Sequence, residues 1–108
     1  MLLAAASREA LGSLDVFFVT LAPEARILAM KLAGVLRDRG ISADLDYGGR
    51  GMRAQFKQAD RSGASYAAIL GKDELARGVC KVRDMASGEE LEVPVADGAK
   101  DLVLAVSG

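Results

Sequence analysis

The sequence predicts an α/β domain of three layers, in which helices cover both faces of a mixed five-stranded sheet. Two apolar runs of strand length, residues 15–21 and 66–70, are typical of strands that are covered on both faces. Helical patterns separate the first three predicted strands, and this alternation requires right-handed crossovers and parallel pairing. A hairpin and a closing helix complete the order β-α-β-α-β-β-β-α, in which the hairpin adds antiparallel strands.

The first half of the chain contains two predicted strand–helix units. Residues 2–12 form a helical pattern that ends at a glycine, so we assign residues 1–14 to a linker or helix tail from a preceding domain and residues 15–108 to the domain itself. The first strand of the domain leads into a helix that starts at Pro23, which suits the first helical position, and ends at Gly40. Residues 41–46 alternate as the second strand.

The second half begins with a glycine-rich turn at residues 47–51, followed by an amphipathic helix from Met52 to Gly63 and by the third strand. Residues 78–84 and 89–95 alternate on either side of a hairpin loop. Residues 96–106 are predicted to form the closing helix.

Composition excludes several kinds of site. The sequence contains no histidine, which removes the usual general base, and a single cysteine, Cys80, so neither a disulfide nor a cysteine-based metal site can form within the chain. We therefore expect no catalytic residues and no metal ligands, and we interpret Cys80 as a packing residue. No apolar run approaches the ~18 residues needed to span a membrane, so we expect a soluble, cytoplasmic protein.

Charge is distributed unevenly along the chain. Residues 50–83 contain eight Lys or Arg and three Asp or Glu, whereas the rest is acidic. Arg53 and Lys57 lie on the polar side of the second predicted helix, and Arg50 extends this basic stripe into the preceding turn. Such a stripe is either a solvated face or a surface that binds a polyanion such as single-stranded nucleic acid. In the second case, the ring of Tyr47 could stack on a base.

Glu74 and Arg83 are the strongest candidates for contacts with bases. Glu74 follows the third strand, where open α/β sheets place ligand sites, and Arg83 lies on the next strand. A carboxylate accepts base N–H groups, and a guanidinium is a planar fork of donors. The turn at residues 48–51 lacks the lysine and hydroxyl of a phosphate-binding loop, which argues against nucleotide binding. The alternatives left open are a domain used for protein interaction or regulation and a small-molecule-binding α/β domain.

Four stretches resemble the C-terminal anticodon-binding domain of class II aminoacyl-tRNA synthetases, and most closely that of the histidyl-tRNA synthetases: residues 46–50 (DYGGR), 55–60 (QFKQAD), 63–64 (GA) and 68–75 (AILGKDEL). The resemblance implies a mixed five-stranded sheet and a role in binding tRNA. Glu74 and Arg83 match the positions at which related synthetases contact anticodon bases.

The resemblance also implies that this chain is one part of a larger enzyme. Catalysis, ATP and Mg²⁺ would belong to a catalytic domain that this chain lacks, so no cofactor is expected here. The full-length enzyme would be a homodimer, and the chain is interpreted as a fragment of it.

Overall fold

A computed structural model describes residues 14–46, 51–95 and 99–107. The strands are β1 (Leu14–Thr20), β2 (Ala43–Leu45), β3 (Ala64–Leu70), β4 (Val79–Asp84) and β5 (Glu90–Pro94). The helices are α1 (Pro23–Asp38), α2 (Met52–Arg61), α3 (Lys72–Arg77) and α4 (Lys100–Ser107).

The five strands form one mixed sheet in the order β2-β1-β3-β4-β5. Strands β2, β1 and β3 are parallel, so the chain leaves all three at the same end of the sheet. Strands β4 and β5 add two antiparallel pairings on the other side of β3. The predicted fold class is confirmed.

Hydrophobic side chains from alternate strand positions form one core on each face of the sheet. On one face, Val16 and Phe18 of β1 pack with Leu32 of α1 and Leu102 of α4. On the other face, a smaller cluster around Phe17 lies under α2. Helices on both faces make the three layers that the apolar strands require, because such strands are buried on both sides.

Several boundaries differ from the expectations. Residues 71–74, predicted as a turn, begin the short helix α3, which ends where Gly78 adopts a left-handed conformation with φ 68°. Six residues are too few for a helical period to be visible in the sequence. Strand β2 is shorter than predicted, and the helix predicted at residues 96–106 is described from Lys100. The helix tail predicted at residues 2–12 lies outside the described residues. None of the helices in the described ranges has the length and apolarity needed to cross a bilayer.

Candidate nucleic-acid interface

Residues 71–74 lie where the carboxyl ends of β1 and β3 meet. Leu21 N–H donates to the carbonyl oxygen of Leu70 at 2.9 Å, which extends the pairing of these strands to their ends. Gly71 then starts α3 with no intervening loop. The predicted site residue Glu74 is thus placed on a rigid element, directly beyond the sheet.

The Glu74 carboxylate is anchored by the backbone. Its Oε1 accepts a hydrogen bond from Gly71 N–H at 2.9 Å, and the residue is only 8% exposed. A Cβ atom at Gly71 would lie 2.9 Å from the same oxygen, so any larger residue would displace the carboxylate. One oxygen of Glu74 therefore holds the first turn of α3, and Oε2 is left to face other groups.

Two cations approach Oε2 of Glu74. Lys81 Nζ and Arg77 Nη2 each lie 4.0 Å from this oxygen. Arg77 also hydrogen-bonds to Asp73 at 3.0 Å and makes two hydrogen bonds of 2.9 Å to Glu92. The hydrogen bonds from Arg77 are the main reason why the pKa of Glu92 is below its ordinary value. Arg77 thus connects α3 to the edge strand β5 beside Glu74.

Arg83 lies on the same face of β4 as Lys81, two residues along the strand. Residues two apart on a strand share a face and are about 7 Å apart. The Arg83 guanidinium carbon lies 5.4 Å from the centre of the Phe56 ring, within the range of a cation–π contact, and Nη1 lies 3.9 Å from Glu90. Glu74, Lys81 and Arg83 therefore form a row, in which Lys81 stands between the two predicted base-contacting residues.

Phe56 connects this row to the basic stripe of α2. Arg53 lies three positions before Phe56, on a neighbouring part of the helix surface, and Lys57 lies one turn after Arg53. Both side chains are exposed, on the helix that covers the sheet face of Arg83. Tyr47 and Arg50 lie outside the described residues, so their proposed contacts stay predictions.

The buried amide of Gln55 connects α2 to the end of β1. Its Oε1 accepts a hydrogen bond from Thr20 N–H at 2.8 Å, and its Nε2 donates to the Thr20 carbonyl oxygen at 2.7 Å. Val16 N–H donates to Ser42 on the β2 side, and Thr20, four residues further, points to the same side. Because β2 pairs with β1 only as far as Phe18, Gln55 satisfies the backbone groups that a longer β2 would bind.

The sequence places Lys81 on the strand of Arg83, but sequence reasoning missed three contacts of this site: Lys81 with Glu74, Phe56 with Arg83, and Gln55 with Thr20. Phe56 follows the apolar spacing of the predicted amphipathic helix, which indicates a packing role, and it does pack against the core cluster of that face. Nothing in the local pattern separates Gln55 from an exposed helical glutamine.

Cys80 lies on the opposite face of β4, fully buried in the larger core. Burial, with a contribution from the Glu74 carboxylate, raises the pKa of Cys80 to about 12. We expect the folded protein not to react with Ellman's reagent at pH 8, and Cys80→Ala to change RNA affinity by less than about 0.5 kcal/mol. Rapid labelling of the folded chain, or lost RNA binding with an intact circular dichroism spectrum, would contradict this role.

A model of the family described as "Anticodon binding domain" matches residues 15–103. The histidine–tRNA ligase of Rubrobacter xylanophilus is 55% identical over 108 residues, which cover all of this chain and 25% of that protein. The ligase of Bacillus cytotoxicus is 48% identical over 82 residues, which cover 76% of this chain and 19% of that protein.

Solved structures agree with these matches. Apo histidyl-tRNA synthetase of S. aureus superposes with a TM-score of 0.78 at 37% identity, over 88% of this chain and 27% of that one. The RNA-binding domain of threonyl-tRNA synthetase from Cryptosporidium parvum superposes at 0.75 with 13% identity, over 89% of this chain and 23% of that one, which shows a shared fold. The chain spans about a quarter of the length of the Rubrobacter relative. The family match, which extends from the second residue of β1 into α4, shows that this chain belongs to the anticodon-binding domain family.

Proposed function

We propose that the chain is the anticodon-binding domain of a histidine–tRNA ligase and that it binds the anticodon loop of histidine tRNA. The row of Glu74, Lys81 and Arg83 beside the exposed cations of α2 is the observation that supports this proposal most directly. Such a surface combines groups for base edges with groups for phosphates, as recognition of single-stranded RNA requires. The identity of the relatives supports the choice of tRNA.

The anticodon of histidine tRNA is guanine-uracil-guanine, and the two predicted residues suit these bases. Oε2 of Glu74 can accept from the N1–H and N2–H₂ edge of a guanine. The Arg83 guanidinium, held over Phe56, can donate to a guanine or uracil carbonyl. Because Glu74 and Arg83 lie on either side of Lys81, we propose that they contact different bases.

The chemistry of ligation belongs, in this proposal, to a catalytic domain outside this chain. That domain would bind histidine, ATP and Mg²⁺, and the full-length ligase would act in the cytoplasm as a homodimer. The alternatives of a protein-interaction domain and a small-molecule-binding domain receive no support from the comparisons.

The direct test is a titration of the 108-residue chain with a histidine-tRNA anticodon stem-loop and with a stem-loop of the same length that carries a different anticodon. We expect tighter binding of the matched loop at every salt concentration. Equal affinity for both loops would contradict anticodon recognition by this chain.

The exposed cations of α2 are expected to contact phosphates. Arg53→Gln and Lys57→Gln should each weaken binding to matched and mismatched loops alike, because phosphates are the same in every sequence. Each change should also make the plot of log K against log salt less steep by about 0.7, the value for one phosphate of a single strand. The measurement is a salt titration by fluorescence anisotropy.

Lys31→Gln is the matched control for these two variants. Lys31 is an exposed cation on α1, the helix that covers the opposite face of the sheet. The same loss of one charge there should leave the salt slope unchanged. A slope that falls equally in all three variants would assign the effect to net charge and not to contacts of α2.

A further inference from the structure

Edge strand β5 places a carboxylate opposite each cation of β4. The register pairs Arg83 with Glu90 and Lys81 with Glu92. Directly opposite residues of an antiparallel pair lie on the same face, with Cβ atoms about 4.5 to 5.5 Å apart. Accordingly, Glu90 Oε2 lies 3.9 Å from Arg83 Nη1, and Glu92 is bound by Arg77 beside Lys81.

The cations of α2 have no such neighbours. Within the described residues, neither Arg53 nor Lys57 forms an ion pair, whereas Arg77, Lys81 and Arg83 each lie within 4.0 Å of a carboxylate. The interface is therefore divided into a helix with unpaired cations and a sheet face on which every cation has an acidic neighbour. The cations of α2 are exposed and those of β4 are half-buried, so all four side chains still reach solvent.

The acidic neighbours affect phosphates and bases differently. A phosphate that bound Arg83 would come close to the Glu90 carboxylate and would be repelled by it. A guanine or uracil edge carries no net charge and can bind Arg83 while Glu90 still orients the guanidinium. Like charges placed together in an interface suppress the wrong partner more than they weaken the right one.

We propose that Glu90, with Glu92, is a specificity-determining residue that keeps RNA phosphates away from Arg83 and Lys81, so that these cations are available to base edges. This inference rests on the proposed binding of an anticodon loop. It assigns phosphate binding to α2 and base reading to β4, and it gives the acidic edge strand the role of separating the two.

Glu90→Gln tests this role, and Glu89→Gln is its matched control. Both changes remove one negative charge at adjacent positions, but within the described residues Glu89 has no cation at ion-pair distance. The probes are an oligouridylate and the matched and mismatched stem-loops. Glu92 is less suitable for the test, because its loss would also release Arg77.

We expect Glu90→Gln to bind oligouridylate about threefold more tightly than the wild-type chain, the size of an exposed charge interaction. Its salt slope should become steeper by about 0.7, because Arg83 gains one phosphate contact. The preference for the matched loop should fall, whereas Glu89→Gln should bind all three RNAs as the wild type does. An unchanged spectrum by circular dichroism checks that the edge strand is intact.

Two results would overturn the inference: oligouridylate affinity and salt slope unchanged in Glu90→Gln, or an equal increase in Glu89→Gln. A wild-type chain that does not distinguish the two stem-loops would instead contradict the proposed function. The oligouridylate titration distinguishes the failure of this inference from the failure of the proposed function, because it measures the repulsion of phosphates by Glu90 on an RNA that has no anticodon.

Discussion

Gln55→Glu is expected to destabilise the folded chain by about 3 kcal/mol at pH 7 relative to the wild type. Gln55 is fully buried and binds both backbone groups of Thr20. An ionised carboxylate can accept from Thr20 N–H but cannot donate to the Thr20 carbonyl, and burial disfavours its charge. The variant thus combines a lost hydrogen bond with a buried charge.

The penalty should depend on pH in a defined direction. Burial raises the pKa of the introduced carboxylate above its unfolded value of about 4.3. The protonated form is uncharged and can donate to Thr20, so the deficit relative to wild type should be small below about pH 4.3. It should grow as the pH rises through the folded-state pKa. Urea denaturation of both proteins at pH 4 and pH 7 measures this difference.

Arg53→Gln is the control for this experiment. It lowers the net charge by the same one unit at an exposed position of the same helix, and it should change stability by less than about 0.5 kcal/mol at both pH values. A deficit in Gln55→Glu that is as small as this, or one that does not change with pH, would show that the Gln55 amide does not hold α2 on the sheet.

The role of Gln55 shows where sequence reasoning stops. Apolar periodicity predicts α2 from the helical spacing of Met52, Phe56 and Ala59. Ala59 is buried and Phe56 half-buried as expected, whereas the expectation for Met52 is wrong, because this first residue of α2 is 47% exposed. The same periodicity cannot predict that β2 ends at Leu45 and leaves the backbone of Thr20 without a strand partner. A buried amide that replaces a strand is a tertiary effect, determined by residues 35 positions apart.

The same limit applies to α3. The positions of Glu74 and Gly78 in the sequence are compatible with a helix start and a left-handed end, but six residues give too little pattern to identify one. The sequence predicts that Glu74 follows β3 and that Arg83 lies on β4, and the structure has Glu74 in α3, directly after β3, and Arg83 on β4. The same prediction treats Glu74 as a free acceptor, whereas in the structure Oε1 binds Gly71 N–H. Because of that contact, a substitution that tests base recognition by Glu74 must keep an acceptor for Gly71 N–H.

Arg83→Ala is expected to lower affinity for the matched stem-loop by about 1 to 3 kcal/mol and to reduce the preference for the matched anticodon. The guanidinium lies over Phe56 and presents a planar set of donors. Arg83→Lys should restore little of the loss, because an ammonium cannot reproduce this geometry. Titration with matched and mismatched loops measures both effects.

Phe56→Leu tests the contact between Arg83 and Phe56 from the side of the ring. It keeps an apolar side chain under Arg83 but removes the ring, so it should weaken matched binding less than Arg83→Ala does. Full recovery of anticodon preference in Arg83→Lys would show that charge alone acts at this position, and the assignment of Arg83 to base reading would then be wrong.

Glu74→Gln tests the recognition role of Glu74 without removing its structural role. The amide oxygen can still accept from Gly71 N–H, but an NH₂ donor replaces the acceptor Oε2. Glu74→Ala would lose both, so reduced binding in that variant would not distinguish a displaced helix from a lost base contact.

The measurement that tests the central claim is a double-mutant cycle, in which Glu74→Gln on the protein is combined with replacement of an anticodon guanine by inosine on the RNA. Stem-loops in which each anticodon guanine in turn is replaced by inosine lack only the N2 amino group that a carboxylate would bind. At one of these positions, the wild-type chain should lose about 1 to 3 kcal/mol of affinity on replacement, whereas Glu74→Gln should lose almost none, because its partner is already gone. If the wild type and Glu74→Gln lose the same amount at both positions, Glu74 does not read a guanine of the anticodon.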